Sequence, residues 1–315
     1  MTENVTSENP PEFNRSTDAH AVLASFIYRY HHLTKHTVEK LMASGYGLDW
    51  KNQPDPFRKY SGAELIPLDR EFIQSESDYF SVLHELLSQA QAASGHAGES
   101  RSHNLSDVSI LSNLLFYTCS ISAWKAIKGT DDKWALRCNA SSGNLHPTET
   151  HLLVHELNGL APGAYHYLVS EHSLEKRSAG TQAVALWQLA GGNAGNCPPL
   201  VLVFTSILWR EVWKYRERGF RYCQHDLGHA LGSLLLASAS LGWEADVHAV
   251  FADAQTAELL GLDGTDEVPY AIIGLRPTTR ALDDTAHSEQ TSAPGKFAGT
   301  PNELSKKQIT YEIVN

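Results

Sequence analysis

The 315-residue sequence has few of the features that mark secreted, zinc-stapled or membrane-bound proteins. It has only four cysteines, without CxxC spacing, which argues against a zinc knuckle or a disulfide framework and indicates reduced thiols. It has no apolar run long enough to cross a membrane, and its first residues lack the basic and apolar regions of a secretory signal. These absences predict a cytoplasmic protein that does not bind membranes.

Positive charge is also scarce. The chain has 25 Lys and Arg against 36 Asp and Glu, a net charge of −11, so we expect no nucleic-acid partner. An anionic ligand would therefore need a local group of cations. The dense basic run from Trp209 to Tyr222, with five cations and two acids, is the candidate, and an amphipathic surface segment is the alternative interpretation.

Apolar residues make up 42% of the chain, enough for a sizeable core. Composition predicts a disordered leader over 1–17, a helical and irregular arm over 18–95, a main domain over 96–280, and a polar linker with a terminal helix over 281–315. That last helix would either dock on a partner or begin a further domain.

Periodicity predicts helices over 19–42, 77–93, 182–190, 226–241 and 254–260, together with a further helix capped by Asp107. It predicts strands over 151–155, 164–169, 174–177, 200–204 and 270–275. The helix over 226–241 is apolar almost all round, which predicts a place inside the protein or in a subunit interface.

A polar loop between a predicted helix and strand is the main candidate site. Ser141 and Ser142 offer hydroxyls, Gly143 permits close backbone approach, and Asn144 offers a donor and an acceptor. Such a loop can hydrogen-bond the polar edge of a planar heterocycle. A well-capped turn is the other interpretation, and the spacing alone does not separate the two.

A second motif, His225-Asp-Leu-Gly-His229, places two imidazoles one helical turn apart, as in some zinc hydrolases. Asp226 is shorter than the usual Glu, Gly228 weakens the helix, and no third ligand stands out. We therefore interpret both histidines as structural and predict no metal, and a zinc hydrolase that uses His225 and His229 is the remote alternative.

The loop resembles the Pro-Ser-x-x-Asn-x-Gln-Pro signature of the nitroreductase superfamily, and its form Ser-Ser-Gly-Asn-Leu-His-Pro-Thr-Glu looks like the SagB-type dehydrogenase branch. The resemblance runs from about residue 20 to 276 and includes further segments in the same order. These are Tyr30–His36, Pro56–Phe57, Leu160–Tyr167, Arg218–Tyr222, Asp226–His229 and Leu259–Gly264.

The resemblance implies an α+β fold, with a central, mostly antiparallel sheet flanked by helices, in an interlocked dimer with FMN at the interface. It implies that 96–280 is the flavin domain and that electrons pass in pairs through flavin N5. The partner would be a second copy or a second nitroreductase-like domain, and the substrate a small molecule or a modified peptide. The N-terminal Arg-Arg-Ser phosphate motif of the superfamily has no counterpart here, so a flavin-free binding or scaffold protein of the same fold is the alternative.

The resemblance also implies roles for individual residues. Tyr222 and Arg221 match a Lys-Tyr pair that acts in proton removal in azoline-oxidising relatives, although an arginine stays protonated and cannot be the base. The expected cofactor-binding residues comprise the loop, a nearby arginine, two residues whose backbone faces N5, and an arginine for the phosphate. They are Arg137, Ser141, Ser142, Gly143, Asn144, Ala249, Val250 and Arg276.

Overall fold

The structure is a computed structural model, and it describes residues 19–43, 47–74, 78–91, 107–180, 182–278 and 295–308. Packing divides the chain after Leu48, and residues from Asp49 to Ile309 form one unit. The predicted leader over 1–17 and most of the predicted linker lie outside the described residues. Residues 304–308 are not helical, because they continue an extended segment that bonds to the arm, and the rest of the predicted terminal helix also lies outside the described part.

The unit before Asp49 contains two helices, α1 (Ala19–Thr34) and α2 (Val38–Ala43), where periodicity predicts one. The break has a local cause. Thr37 accepts a hydrogen bond from the backbone N of Lys40 at 3.2 Å, and a side chain that caps a new helix in this way leaves the preceding helix interrupted.

The larger unit is built on a seven-stranded sheet in which every neighbouring pair is antiparallel. This confirms the predicted α+β class and antiparallel sheet. Its strands, in their order across the sheet, are β2 (Glu64–Pro67), β7 (Ser173–Ala179), β6 (Gly163–Leu168), β5 (Thr148–Val154), β8 (Leu200–Ser206), β10 (Val268–Pro277) and β9 (Trp243–His248). Its helices are α3 (Tyr79–Gln91), α4 (Asp107–Cys119), α5 (Gln182–Leu189), α6 (Leu208–Tyr215), α7 (Gly219–Ser240) and α8 (Asp253–Leu260).

Two short sheets accompany the main one. The hairpin of β3 (Ile121–Ala126) and β4 (Lys133–Arg137), which the sequence analysis does not predict, has mostly exposed side chains. Strand β1 (Tyr60–Ser61) pairs with β11 (Thr300–Pro301). We call residues 297–305 the strap, because they join the arm to the sheet through bonds such as Asp55 N to Leu304 O at 2.8 Å.

The two faces of the main sheet differ because strand side chains alternate. On β5, Leu152 and Val154 join the core that packs on α4 and α7, whereas Leu153 joins a smaller core with α5 and α8. On that second face, towards the start of β5, Glu149 and His151 are buried and hydrogen-bonded instead. We call the end of the sheet where Thr148 pairs with Ser206 the loop end, because the polar loop leads into β5 there.

Helix α7 begins at Gly219, seven residues before the predicted start, and buries a single stripe through Cys223, Asp226, Ala230 and Leu234. His229 and its neighbours on the opposite side are exposed, so the helix is not enclosed within this chain. The spacing of the stripe explains this, because residues three and four apart share one helix face. A place in a subunit interface stays a prediction.

Among the helices described, none has the length and apolar content needed to span a bilayer.

Candidate functional site

The loop that precedes β5 has an unusual backbone. Gly143, Asn144 and His146 all have positive φ angles, of 62°, 61° and 49°. Left-handed conformations of residues other than glycine cost energy and persist only where the surroundings impose them, often at functional sites. The contacts that impose this conformation therefore define the site.

The carboxylate of Asp226, on α7, holds the first half of the loop. It accepts hydrogen bonds from Ser141 Oγ at 2.6 Å, from Ser142 N at 2.9 Å and from Ser142 Oγ at 2.8 Å. Ser141 Oγ in turn accepts a bond from the backbone N of His146 at 2.8 Å. The two hydroxyls predicted to face a ring thus bind Asp226 in this structure and shape the backbone.

A second buried carboxyl lies behind Asp226. Glu211 is fully buried on α6, and burial together with the Asp226 charge raises its pKa to about 10. Its carboxyl is therefore neutral near pH 7, which spares the fold a pair of adjacent buried anions.

The side chain of Asn144 is also used within the chain. Its Nδ2 donates to Ala135 O at 3.0 Å, and its Oδ1 lies 3.0 Å from His146 Nε2. Between Ser141 and His146, Gly143 is the exposed residue. A ligand would meet the loop at the Gly143 backbone rather than at the Asn144 amide.

The end of α6 lies against one side of Gly143. A Cβ added there would lie 2.7 Å from Lys214 Nζ and 2.7 Å from the Tyr215 hydroxyl. Tyr222 packs beside Tyr215, since their ring centroids are 4.3 Å apart. The guanidinium of Arg218 lies 3.3 Å from the Tyr222 hydroxyl. The structure therefore brings the predicted basic run and Tyr222 to the polar loop.

This geometry identifies a pair that the sequence reasoning missed. Lys214 and Tyr215 form a literal Lys-Tyr pair before Asp226, and their polar atoms reach Gly143. Arg221, which the sequence analysis matches to the lysine, lies in the first turn of α7, after the Lys214–Tyr215 pair. The order Lys-Tyr before Asp-x-Gly-His was the available signal, and matching to the nearer Arg221–Tyr222 pair overlooked it.

Arg137 does not face the open side of the loop. It is buried, donates through Nη2 to Pro56 O at 2.7 Å, and lies over the Phe57 ring at 5.6 Å. Burial lowers the pKa of its guanidinium. Its contacts thus join the end of β4 to the arm.

The remaining predicted cofactor residues are divided between the two ends of the sheet. Ala249 and Val250 are exposed and follow β9 at the loop end, about 14 Å from β5 by three inter-strand spacings. Arg276 lies eight residues along β10 from Val268, about 26 Å away, and bonds Asn196 at 3.4 Å. Within one chain, β10 therefore places Arg276 at the end of the sheet opposite the loop, and its role at the FMN phosphate stays a prediction.

His225 and His229 are both exposed, whereas Asp226 between them faces the core. Within the described ranges, no group of three His, Cys, Asp or Glu side chains could hold a metal. The zinc alternative gains no third ligand from the fold.

A cleft beside the loop supplies aromatic surface. Trp124, Trp134 and Phe57 line it together with Gly143 and Lys214. The donor set suits a flavin, since aromatic rings can pack on a planar ring system, an exposed glycine admits it closely, and Lys214 and its neighbours attract an anion.

Comparison with known proteins gives a consistent result. Residues 124–275 match the model of the "Nitroreductase family". The chain is 28% identical over 140 residues to "Putative nitroreductase MJ1384" of Methanocaldococcus jannaschii, covering 43% of this chain and 69% of that protein. It is 26% identical over 216 residues to the "Trifolitoxin-processing protein TfxB" of Rhizobium leguminosarum bv. trifolii, covering 67% of this chain and 53% of that protein.

Among solved structures, a "putative nitroreductase" from Anabaena variabilis superposes with a TM-score of 0.65 at 22% identity. The match covers 92% of this chain and 55% of that chain. The chain thus spans about half the length of TfxB and of the Anabaena protein.

Proposed function

The chain carries a nitroreductase-family domain over residues 124–275, and from this premise we propose that it is an FMN-dependent oxidoreductase. The resemblance to this superfamily and its SagB-type branch, stated from the sequence, is confirmed. The observation that carries the proposal is the meeting of the left-handed Gly143 loop with Lys214 and Tyr215.

When bound, FMN supplies two-electron transfer at its N5. In this proposal the chain provides the surface that receives it. The Gly143 backbone lets the ring approach, and Asp226 fixes the loop through Ser141 and Ser142. Lys214 and the arginines that follow it attract the phosphate and the reduced ring edge, while Ala249 and Val250 offer backbone groups at the same end of the sheet.

Lys214 and Tyr215 are the proposed proton-handling residues, with Tyr222 beside them. A lysine can lose its proton and act as a base, whereas an arginine stays protonated. Replacing the Arg221–Tyr222 assignment with Lys214–Tyr215 therefore removes the objection that the pair lacks a base. Arg137 and Arg276 make no direct contact with the cofactor within this chain in the proposal.

The proposed setting is cytoplasmic, with a second copy or a second nitroreductase-like domain completing the site along α7. The exposed side of α7, with Gly228 and Gly232, permits a close approach. The substrate is a small molecule or a modified peptide, and the similarity to a trifolitoxin-processing protein favours the peptide.

A flavin titration tests the proposal. We expect added FMN to lose fluorescence on binding and to raise the melting temperature of the protein. Gly143→Ala should weaken binding about tenfold or more, because the new Cβ meets Lys214 and Tyr215. Gly129→Ala is the matched control, since Gly129 also has a positive φ, of 86°, but open space around it.

Lys214→Ala should also weaken FMN binding, about tenfold to a hundredfold, through loss of a charge-assisted contact. Lys128→Ala removes an exposed lysine at the hairpin turn and should leave binding unchanged. Equal affinity in wild type, Gly143→Ala and Lys214→Ala would contradict the site.

One observation favours the flavin-free scaffold as a second candidate. The side chains of Ser141, Ser142 and Asn144 are all hydrogen-bonded within the chain. If excess FMN changes neither its own fluorescence nor the melting temperature, the scaffold is the better description.

A further inference from the structure

Arg210 lies where three separate segments meet. Its side chain is fully buried on α6, and its Nε donates to Asp55 O of the arm at 2.8 Å. Its Nη1 donates to His146 O of the loop at 2.7 Å and also bonds Glu149 Oε1 on β5. One guanidinium therefore joins the arm, the loop and the sheet.

The Glu149 carboxyl stays ionised inside the protein. Burial alone would raise the pKa of Glu149, but Arg210, with a hydrogen bond from His166, lowers it to about 2. An ionised carboxylate fixes one edge of the planar guanidinium, and the fork geometry of that group sets the direction of its other donors. The orientation of the donor to His146 O is thus determined by Glu149.

The contact falls on a strained residue. His146 has a φ of 49°, and its carbonyl is the last loop acceptor before Pro147 leads into β5. Asp226 holds the opposite half of the loop at Ser141 and Ser142. The loop is consequently fixed at both ends, by a carboxylate at one and by a guanidinium at the other.

We infer that Arg210 is a positioning residue for the proposed cofactor loop, which it holds in the left-handed conformation that exposes Gly143. This inference rests on the proposed function for its purpose, but the restraint itself is a property of the protein without cofactor. It differs from a general contribution to stability, because it predicts an effect localised in the loop.

Arg58 provides a matched control. It is also buried, bonds a buried carboxylate, Glu267 Oε2, at 3.2 Å, and donates to a backbone carbonyl, Asn302 O, at 2.9 Å. It makes no contact with the loop among its described bonds. Arg58→Met and Arg210→Met therefore remove similar buried interactions, and only the second releases His146 O.

The test is amide hydrogen exchange of the cofactor-free protein, at a temperature where each variant is folded. The loop amides of Ser142, Asn144, Leu145 and His146 are all hydrogen-bonded, so their exchange reports the loop. We expect Arg210→Met to speed their exchange about tenfold or more and Arg58→Met to leave it near the wild-type rate. Equal acceleration in both variants, or none in either, overturns the inference.

If Arg210→Met does not fold, Arg210→Lys replaces it, since a single ammonium cannot reproduce the fork that reaches Asp55 O and His146 O together. An FMN titration of the same variants follows, in which the Arg210 variant should bind about tenfold more weakly than the Arg58 variant. Absence of FMN binding by wild type would contradict the proposed function, whereas the exchange rates decide the inference in either case.

Discussion

The two faces of the main sheet stabilise the protein by different means. One face presents Leu152, Phe204 and Ile273 to α4 and α7, in an apolar core. The other face, near the loop end, carries what we call the charged cluster. Its members are Arg58, Glu149, His151, His166, Glu175, Arg210 and Glu267, all buried.

The charged cluster consists of two bonded groups, which meet where the ring centroids of His151 and His166 lie 5.0 Å apart. His166 Nδ1 lies 2.8 Å from Glu175 Oε2 and its Nε2 3.4 Å from Glu149 Oε2, while His151 Nε2 lies 2.6 Å from Glu267 Oε1. An apolar core tolerates exchange of side chains of similar volume, whereas a charged group requires its partner at a defined place. The comparison teaches that the first face supplies stability and the second fixes where the arm, the strap and the loop attach.

The largest expected effect concerns the apolar face. Phe204→Ala should lower the free energy of unfolding by about 3 to 5 kcal/mol, because it leaves a cavity under α4 and α7. Urea unfolding measures this. Phe80→Ala makes the same change at a side chain that is 76% exposed, and should cost less than about 0.5 kcal/mol. Similar losses in the two variants would mean that Phe204 is not part of a packed core.

Breaking one charged pair should cost nearly as much. Glu149→Leu leaves Arg210 and His166 buried without their carboxylate, and we expect a loss of about 3 kcal/mol. Adding Arg210→Met to that variant should recover part of the loss, because no unpaired guanidinium then remains. A double variant that loses the sum of both single effects would show that the pair behaves like two independent core residues.

Low pH should affect the stability contributed by the two faces differently. The folded pKa of Glu149, about 2, is below its usual 4.5, so its contribution is present above pH 4.5 and is lost as the pH falls towards 2. We expect about 2 kcal/mol of this to be lost by pH 3, measured by urea unfolding across pH. Glu149→Gln should flatten that dependence, whereas Phe204→Leu should keep the wild-type slope.

The smallest expected effect, taken per pH unit, is a gain in stability. Glu211 has a folded pKa of about 10 against 4.5 normally, so folding must retain a proton there, and stability is lost as the pH rises from 4.5 towards 10. Glu211→Gln mimics the neutral carboxyl and needs no proton, so its stability relative to wild type should rise by about 1.4 kcal/mol for each pH unit between pH 6 and 9, measured by urea unfolding. An unchanged pH dependence between pH 6 and 9 would indicate that Glu211 is already ionised.

The fold was largely predictable where the pattern is local. The apolar run at 200–204 predicted β8, the alternation after Thr150 predicted the meander of β5, β6 and β7, and Asp107 marked the start of α4. The β3–β4 hairpin was missed because its side chains are mostly exposed, so its sequence shows no alternation of apolar and polar residues. Residues 304–308 were predicted helical, but hydrogen bonds from Asp55 to Leu304 and from Lys307 to Asn52, about 250 residues earlier, hold them in a non-helical conformation.

The candidate site was predictable in part. Local composition identified the loop and the basic run, and the fold brings them together. The orientation of the Ser141 side chain depends on its hydrogen bond to Asp226, 85 residues away. No local sequence pattern reveals a bond between such distant residues. The charged cluster was also missed, because Glu149, His151, His166 and Glu175 alternate with apolar residues as solvent-facing strand residues do.

The strap has a consequence for how the chain is made. Arg58 bonds Asn302, 244 positions away, and Asn52 bonds Lys307, 255 positions away. Contacts between such distant segments form slowly, and during synthesis they wait until the later segment has emerged from the ribosome. The apolar face can pack as β5 to β10 are synthesised, while the side of the sheet beneath the strap stays in contact with water. We therefore expect the strap to close over Arg58 and Glu267 only after the sheet has formed.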